Sequence, residues 1–262
     1  MKTSRRGPFL ASIAVVGLAV TATGIVTAPT TVRQGFNYTV SVQSLPRYIK
    51  AWDFLDRHFH YRLLATQITQ GLRSDEERAL AVYTWTRTHI RPTPRDWSVV
   101  DDHILHIIIR GHGVSDQMAD VFTTLSTYGG VPAFWIVAKP KGHRGYLVVS
   151  FAKVEGRWVV FDVAHGFVFR DHQGRLAALE TLVADPQLVR SVAGDFKAGG
   201  IAYEAYLTGA MPLEVPRPLR AELQMPWPRC WYEAKRLAGF VKEEAKGSDG
   251  SDATASQQVA WR

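Results

Sequence analysis

Residues 111–119 read GHGVSDQMA, and this stretch decides how the chain is expected to fold. Its two glycines form a turn that delivers Ser115 to the start of a helix. Apolar residues then recur at helical spacing up to Tyr128, and the glycines at 129–130 end the helix. The turn therefore places one hydroxyl side chain at the positive end of a helix dipole.

Three stretches of β-forming residues follow this helix. They span residues 131–138, 146–154 and 158–163. Glu155 and Gly156 separate the last two, as expected for a tight hairpin. This order predicts an α+β fold in which one helix packs on an antiparallel sheet.

Further helices are predicted on both sides of this core. Residues 46–71 carry aromatic and aliphatic residues at three- and four-residue spacing, and Ser74 with Glu77 fits a capping box that begins a second helix. Residues 35–42 alternate like a half-buried strand, and residues 101–110 fit a strand or a helix equally well. Short helices are expected beyond residue 175.

The order of these elements resembles the transglutaminase-like superfamily, whose core shares a papain-like arrangement. The resemblance rests on the turn and helix at 111–128, on GGVPA at 129–133 and on GRWVVFDV at 156–163. It covers about residues 74–166 and implies a transglutaminase-like core with extra flanking helices. In that family a cysteine nucleophile begins the helix, a histidine base begins the first strand of the hairpin, and an aspartate ends the second strand.

The resemblance places the nucleophile position on Ser115 and the aspartate position on Asp162, while the histidine position falls on Leu147. His143 lies four residues before Leu147, and a longer hairpin or a bulge would bring it into place. Three other imidazoles that could fold near Ser115 are His112, His165 and His103.

Two interpretations of Ser115 follow. Serine needs a strong, positioned base to act as a nucleophile, so without one it is expected to be inert and to cap the helix. We then expect a catalytically degenerate protein of the cell envelope that binds a peptide, a glycan or a protein partner. In the alternative, a serine-dependent amide hydrolase or acyltransferase, Ser115 attacks the acyl carbonyl, His143 or His112 is the base, and Asp162 orients it.

A third interpretation is a structural envelope protein that binds no ligand. Its cleft would be filled by aromatic side chains such as Tyr128, Trp135 or Tyr146.

Other candidate ligand contacts are few. Lys139, Lys141 and Arg144 lie in a basic loop between two predicted strands, where they could bind a carboxylate or a phosphate. His103 and His106 are three residues apart, but no third ligand follows at a short offset, so neither a metal nor another cofactor is predicted. Cys230 is the only cysteine, which excludes an internal disulfide.

The N-terminus predicts where the protein resides. Basic residues precede an uncharged apolar run at 9–26, the pattern of an export signal. We expect residues 1–30 to form a signal-anchor that leaves the rest of the chain outside the cytoplasm, with cleavage after Ala28 and secretion as the alternative. The net charge of +7 suits anionic partners, but no nucleic-acid-binding motif is present.

The remainder is predicted to form one domain at residues 31–240, with a C-terminal helical extension, and a disordered tail at 241–262. Within the extension, Trp227, Trp231 and Phe240 lie among lysines and arginines. We expect these aromatic side chains to pack across the domain; the alternative is an interfacial helix on a bilayer.

Overall fold

The computed structural model describes residues 23–240, apart from Ile25, Tyr38, Asp102, Lys141 and Arg144. Most of the predicted anchor, the predicted tail, and the ligand contacts predicted for Lys141 and Arg144 therefore lie outside the described residues. Within the described part, none of the helices has the length and apolar content needed to span a membrane.

A four-stranded antiparallel sheet forms the centre of the molecule. Its strands, listed in the order in which they pair, are β6 (Ala133–Ala138), β7 (Leu147–Val154), β8 (Arg157–Asp162) and β9 (Phe167–Val168). Glu155 and Gly156 turn the chain between β7 and β8 with φ values of 49° and 81°. The predicted hairpin is thus confirmed, and Gly156 supplies a conformation that most side chains avoid.

Helices cover both faces of this sheet. Those before it are α1 (Arg47–Thr69), α2 (Asp75–His89), α3 (Ile104–Arg110) and α4 (Ser115–Tyr128). Those after it are α5 (Leu179–Ala184), α6 (Pro186–Ala193), α7 (Tyr203–Gly209) and α8 (Pro226–Leu237), with a 3-10 turn at Glu222–Gln224. The fold is therefore of the predicted α+β class.

The two faces of the sheet belong to different hydrophobic clusters. Side chains of α1 to α4 pack on the face that contains Ala152 and Phe161. Side chains of α5, α6 and α7 pack on the opposite face, which contains Phe151 and Val160. Because successive strand residues point to opposite faces, each residue of β7 and β8 can be assigned to one side.

Helix α4 runs antiparallel to β6. Near the C-terminus of the helix, Thr127 Oγ1 accepts a hydrogen bond from the backbone N–H of Ala133, at the start of the strand. Two residues further along the strand, Trp135 Nε1 donates to Asp120 Oδ1 at 2.6 Å. The N-terminus of α4 therefore lies beside the end of β6 and the start of β7.

An N-terminal hairpin precedes α1. It consists of β1 (Pro29–Phe36) and β2 (Thr39–Pro46), and β4 (Val100–Asp101) extends it. The prediction of one strand over residues 35–42 is wrong, because the chain reverses at Asn37 with a φ of 43°. Asparagine tolerates this left-handed conformation, so the alternating pattern runs through a turn.

Short strand pairs complete the fold. They are the parallel pair β3 (Arg91–Pro92) with β5 (His112–Gly113), and the antiparallel pair β10 (Lys197–Ala198) with β11 (Ile201–Ala202). Residues 101–110, which fitted a strand or a helix, end β4 and form α3. The capping box of α2 is confirmed: the N–H of Glu77 donates to Ser74 Oγ, and Glu77 accepts from the N–H of Ser74.

Two aromatic surfaces are exposed. Helix α1 turns Tyr61 and Ala65 into the core, whereas Trp52 and Phe59 on its other side face solvent. In and after α8, three aromatic side chains are also exposed: Trp227, Trp231 and Phe240. The expectation that these three pack across the domain is wrong, since α8 has no buried residue.

Candidate functional site

Ser115 is the first helical residue of α4, and Val114 occupies the N-cap position. The expected capping by the Ser115 hydroxyl is therefore wrong. Gln117 takes over part of that role, because its side-chain oxygen accepts a hydrogen bond from the N–H of Val114 at 3.3 Å. The Ser115 side chain is half-buried and makes no hydrogen bond among the residues that the structure describes.

Two carboxyl groups follow Ser115 in the first two turns of α4. Asp116 is half-buried, and its Oδ1 accepts from the N–H of Gln117. Asp120 is almost fully buried; it accepts from Trp135 and forms an ion pair of 3.0 Å with Arg220. The N-terminal half of α4 thus combines a hydroxyl that is unpaired among the described residues with one half-buried and one buried acid.

Burial raises the pKa of both acids. For Asp116 the pKa rises to about 7, chiefly because the carboxyl is removed from water and secondly because Asp120 lies nearby. Burial also raises the pKa of Asp120, although Arg220 opposes the change. Carboxyls perturbed in this way are common at ligand-binding and catalytic sites.

The raised pKa of Asp116 makes stability depend on pH. Between its ordinary value of 3.8 and its folded value of about 7, the folded state binds more protons than the unfolded state. Stability should therefore fall as pH rises through this window. Asp116→Asn, which stays neutral, should show a shallower decline when the free energy of unfolding by urea is measured from about pH 4 to pH 8. Equal slopes for the two proteins would contradict the raised pKa.

The sheet presents valines to α4 at the level of Ser115. From Asp120 back to Ser115 the helix covers about 7.5 Å, and from Trp135 on to Val137 the strand covers about 6.6 Å. Val137 pairs with Val148 of β7, so the two share the face that α4 covers. Val163, the residue that follows β8, belongs to the same cluster as α4.

Leu147 does not face Ser115. Its side chain belongs to the cluster on the opposite face, together with Tyr206 and Leu207 of α7. Leu147 is the first residue of β7, one residue after the predicted start of this strand, and the alternation of the strand turns its side chain away from α4. The position that faces α4 is taken by Val148, which has no titratable group.

Asp162 also belongs to the side away from α4, and it is fully buried there. Its Oδ2 accepts from the hydroxyl of Tyr203 at 2.9 Å and contacts His165 Nδ1 at 2.8 Å. Its Oδ1 accepts from the backbone N–H of His165 at 2.9 Å. This carboxylate therefore has three hydrogen-bonding partners: two nitrogens of His165 in the loop after β8, and the hydroxyl of Tyr203 in α7.

Sequence reasoning missed the pairing of Asp162 with His165. Since Asp162 accepts from the residue three positions ahead, the pair closes the turn after β8, and the short spacing was the signal that could have revealed it. The imidazole of His165 lies against Phe196, with ring centroids 4.7 Å apart. Burial and the nearby Asp162 raise the pKa of Tyr203 well above its usual range, so its hydroxyl stays a donor.

The other candidate bases lie apart from this carboxylate. His143 is exposed in the β6–β7 loop, and no hydrogen bond within the described residues joins it to Ser115 or Asp162. Lys139, in the same loop, is exposed as well. The loop packs closely against α7, because a Cβ atom added at Gly209 would overlap the carbonyl oxygen of Lys139.

His112 is the imidazole nearest to Ser115 in sequence. Its Nδ1 lies 3.2 Å from Thr93 Oγ1, and its ring meets Trp97 edge-on at 5.1 Å. Burial and, secondly, Arg110 lower the pKa of His112, so the ring is neutral near pH 7. No carboxylate among the described residues is paired with this ring.

Among the described residues, no group of three or more potential metal ligands is arranged around a common point. The rings of His103 and His106 are 6.0 Å apart and tilted, and His103 lies 3.8 Å from Asp53. Cys230 is exposed on α8.

Two of the three aromatic residues that could fill a cleft, Tyr128 and Trp135, have other partners. Tyr128 donates to the carbonyl of Gln224 at 2.7 Å, at the far end of α4 from Ser115. Trp135 is tied to Asp120. A crevice of about 340 Å³ lies between β1 and α1, and His103 lines it, whereas Ser115 and Asp162 do not.

Comparison with known proteins bears on this arrangement. Residues 62–163 match the model of the transglutaminase-like superfamily core. Comparison with curated proteins gives no match.

Three solved structures show distant similarity. A candidate protease of Parabacteroides distasonis is 12% identical over 39% of this chain and 23% of its own, with a TM-score of 0.34. A candidate cysteine protease of Cytophaga hutchinsonii is 15% identical over 45% of this chain and 40% of its own, with a TM-score of 0.36. A TGase is 10% identical over 60% of this chain and 49% of its own, with a TM-score of 0.33. The chain spans less than half of each of these proteins.

The matched segment begins within α1 and ends just after β8, so it contains α4, the β7–β8 hairpin and the positions of Ser115 and Asp162. The chain therefore contains an α+β, papain-like core of the transglutaminase-like superfamily.

Proposed function

We propose that this chain is a catalytically degenerate transglutaminase-like protein of the cell envelope, and that it binds a peptide, a glycan or a protein partner beside Ser115. The observation that carries the proposal is a set of valines on the side of the sheet that α4 covers: Val137, Val148 and Val163. A serine nucleophile needs a base within hydrogen-bonding distance, and these side chains offer none.

The engagement of Asp162 supports the same conclusion. A carboxylate that orients a catalytic imidazole must face the same space as the nucleophile. Asp162 is instead enclosed with Tyr203 and His165 on the other side of the sheet. Its hydrogen bonds make it a structural residue of the turn that follows β8.

The surroundings of Ser115 support binding. Ser115 is half-buried, and its hydroxyl is unpaired among the described residues. Asp116, with its raised pKa, can donate or accept a hydrogen bond near neutral pH. Polar groups of this kind on a rigid helix can fix the orientation of a ligand.

The location in the cell envelope is supported by the sequence at the N-terminus. A basic start and the uncharged run at 9–26 are typical of an export signal or signal-anchor. The net charge of +7 suits a surface close to anionic lipids or acidic polysaccharide.

One observation favours the second candidate function, a serine-dependent amide hydrolase or acyltransferase. His112 lies three residues before Ser115, and its lowered pKa leaves it neutral, as a general base must be. His112 would have to act without Asp162. Because Asp162 lies on the other side of the sheet from α4, the binding function has the stronger support.

Blocking the surface beside Ser115 tests the binding proposal. Wild-type protein is screened on peptide and glycan arrays, and each ligand found is measured again with Ser115→Trp. We expect Ser115→Trp to lose most of the signal, because the indole would cover the N-terminus of α4. The matched control is Thr84→Trp, at an exposed position of α2, which should bind like the wild type. Ligands that bind Ser115→Trp unchanged would contradict the proposed site.

A further inference from the structure

Helix α1 has an apolar stripe on the side that faces away from the protein. The stripe comprises Tyr48, Trp52, Leu55, Phe59 and Leu63, which are between 38% and 75% exposed. The core-facing side of the same helix carries Tyr61 and Ala65, which are 1% and 0% exposed. The helix is therefore apolar on two sides, and only one of them is used by the fold.

A contiguous apolar surface of this kind marks an interaction site. From Tyr48 to Leu63 the stripe extends about 22 Å along the helix axis. The core does not need it, because the buried residues of α1 lie on the other side.

The stripe begins where the N-terminal apolar run ends. The hairpin β1–β2 returns the chain to its starting point, so that Pro46 pairs with Pro29. The backbone N–H of Arg47, the first residue of α1, donates to the carbonyl of Ala28 at 3.0 Å. If residues 9–26 are held in a bilayer, the first turn of α1 lies at the surface of that bilayer.

The composition of the stripe suits a bilayer surface. Tryptophan and tyrosine are enriched at the membrane–water boundary, and phenylalanine and leucine enter the acyl region below it. Arg47 and Arg62 are exposed beside the two ends of the stripe, where they can contact anionic headgroups.

The spacing argues against a coiled coil with a second copy. A seam with a repeat of three and four residues would continue from Phe59 to residues 62 and 66. These positions hold Arg62 and Thr66, whereas the stripe continues at Leu63. A surface that lies flat on lipid has no such register to satisfy.

We propose that the stripe on α1 lies on the lipid bilayer, as a second membrane contact beside the N-terminal segment. This inference rests on the envelope location proposed above. It makes α1 an interfacial helix that holds the core against the membrane in a fixed orientation.

The test places a fluorescent label on either side of the stripe boundary. The full chain carries Cys230→Ser, with Phe59→Cys or His60→Cys labelled by bimane, and is reconstituted into vesicles of phosphatidylcholine and phosphatidylglycerol. Both positions are exposed, but helical geometry separates neighbouring residues by about 100°, so only position 59 lies in the stripe. Thermal unfolding of both labelled proteins should match that of the wild type.

We expect lipids with a quencher near the headgroup to reduce the emission of the label at 59 and to leave the label at 60 nearly unchanged. The label at 59 should also shift to shorter wavelength. If aqueous iodide quenches both labels equally, the stripe is an open surface and the proposal is overturned.

Two other results would overturn it in favour of a different occupant. A label at 59 that neither quencher reaches, with a disulfide forming between two unlabelled Phe59→Cys chains, would assign the stripe to a second copy. The same protection without a cross-link would assign it to the N-terminal segment of the same chain. Release of the whole chain by an alkaline carbonate wash would overturn the envelope anchor as well, which separates the two proposals.

Discussion

Asp162→Ala is expected to lower the free energy of unfolding by about 3–5 kcal/mol, which is typical of removing one partner from a buried charged network. Asp162 is fully buried and is hydrogen-bonded by the hydroxyl of Tyr203 and by two nitrogens of His165. Alanine would leave these donors without an acceptor inside the protein. Chemical denaturation monitored by circular dichroism measures the loss.

Two matched variants separate the contributions to this loss. Asp162→Asn keeps the shape and one acceptor oxygen, so it should cost clearly less than alanine. Tyr203→Phe removes a single donor and should cost about 1 kcal/mol. If Asp162→Ala unfolded at the same denaturant concentration as the wild type, the structural role assigned to this carboxylate would be wrong.

Phe122→Ala should be comparably severe, with a loss of about 3–5 kcal/mol in the free energy of unfolding. Phe122 is 0% exposed, and its ring lies 5.0 Å from that of Phe161 and 6.3 Å from that of Tyr83. It therefore joins α4, β8 and α2. Its removal leaves a cavity between the helix that carries Ser115 and the sheet.

The control is the same substitution at an exposed phenylalanine. Phe59→Ala, on the stripe of α1, should change the free energy of unfolding by less than about 0.5 kcal/mol. Equal losses at the two positions would mean that the α1 stripe is part of the folding core, contrary to its assignment as a membrane contact.

The sequence predicted the central elements because each has a local signal. Helix α4 begins and ends at the predicted residues, since a glycine turn precedes it and two glycines follow it. The β7–β8 hairpin was predicted from a single turn at Glu155 and Gly156. Such signals depend on a few neighbouring residues and hold regardless of how the rest of the chain folds.

The N-terminal hairpin was not predicted because its signal is ambiguous. Alternating side chains continue from β1 into β2, and Asn37 resembles any other polar position within a strand. The register that brings Pro46 back to Pro29 depends on pairing between strands, which composition does not encode.

The candidate site was predicted in part. Ser115 is at the helix start as expected, but the faces of Leu147 and Asp162 depend on strand alternation relative to α4. A shift of one residue moves a side chain across the sheet, and the histidine position that counting along the chain assigned to Leu147 lies on the side of the sheet away from α4. The pairing of Asp162 with His165 needed only local spacing and could have been predicted.

The exposed surfaces were the least predictable feature. Periodic aromatic residues on α1 indicate a helix, but periodicity does not say which apolar side faces the core. Tyr61 and Ala65 face the core, and Trp52 and Phe59 do not. The same difficulty explains why Trp227 and Trp231 were expected to be buried.

The most direct test of the degenerate site is labelling of Ser115 by a serine-directed fluorophosphonate. The wild type and Ser115→Ala are incubated with the reagent near neutral pH, and the modified residues are identified by mass spectrometry. Because the side chains facing α4 at this level are valines, we predict no modification of Ser115 in the folded wild type. Labelling of Ser115 that is lost in Ser115→Ala and in His112→Gln would contradict the account and would establish a serine nucleophile activated by His112.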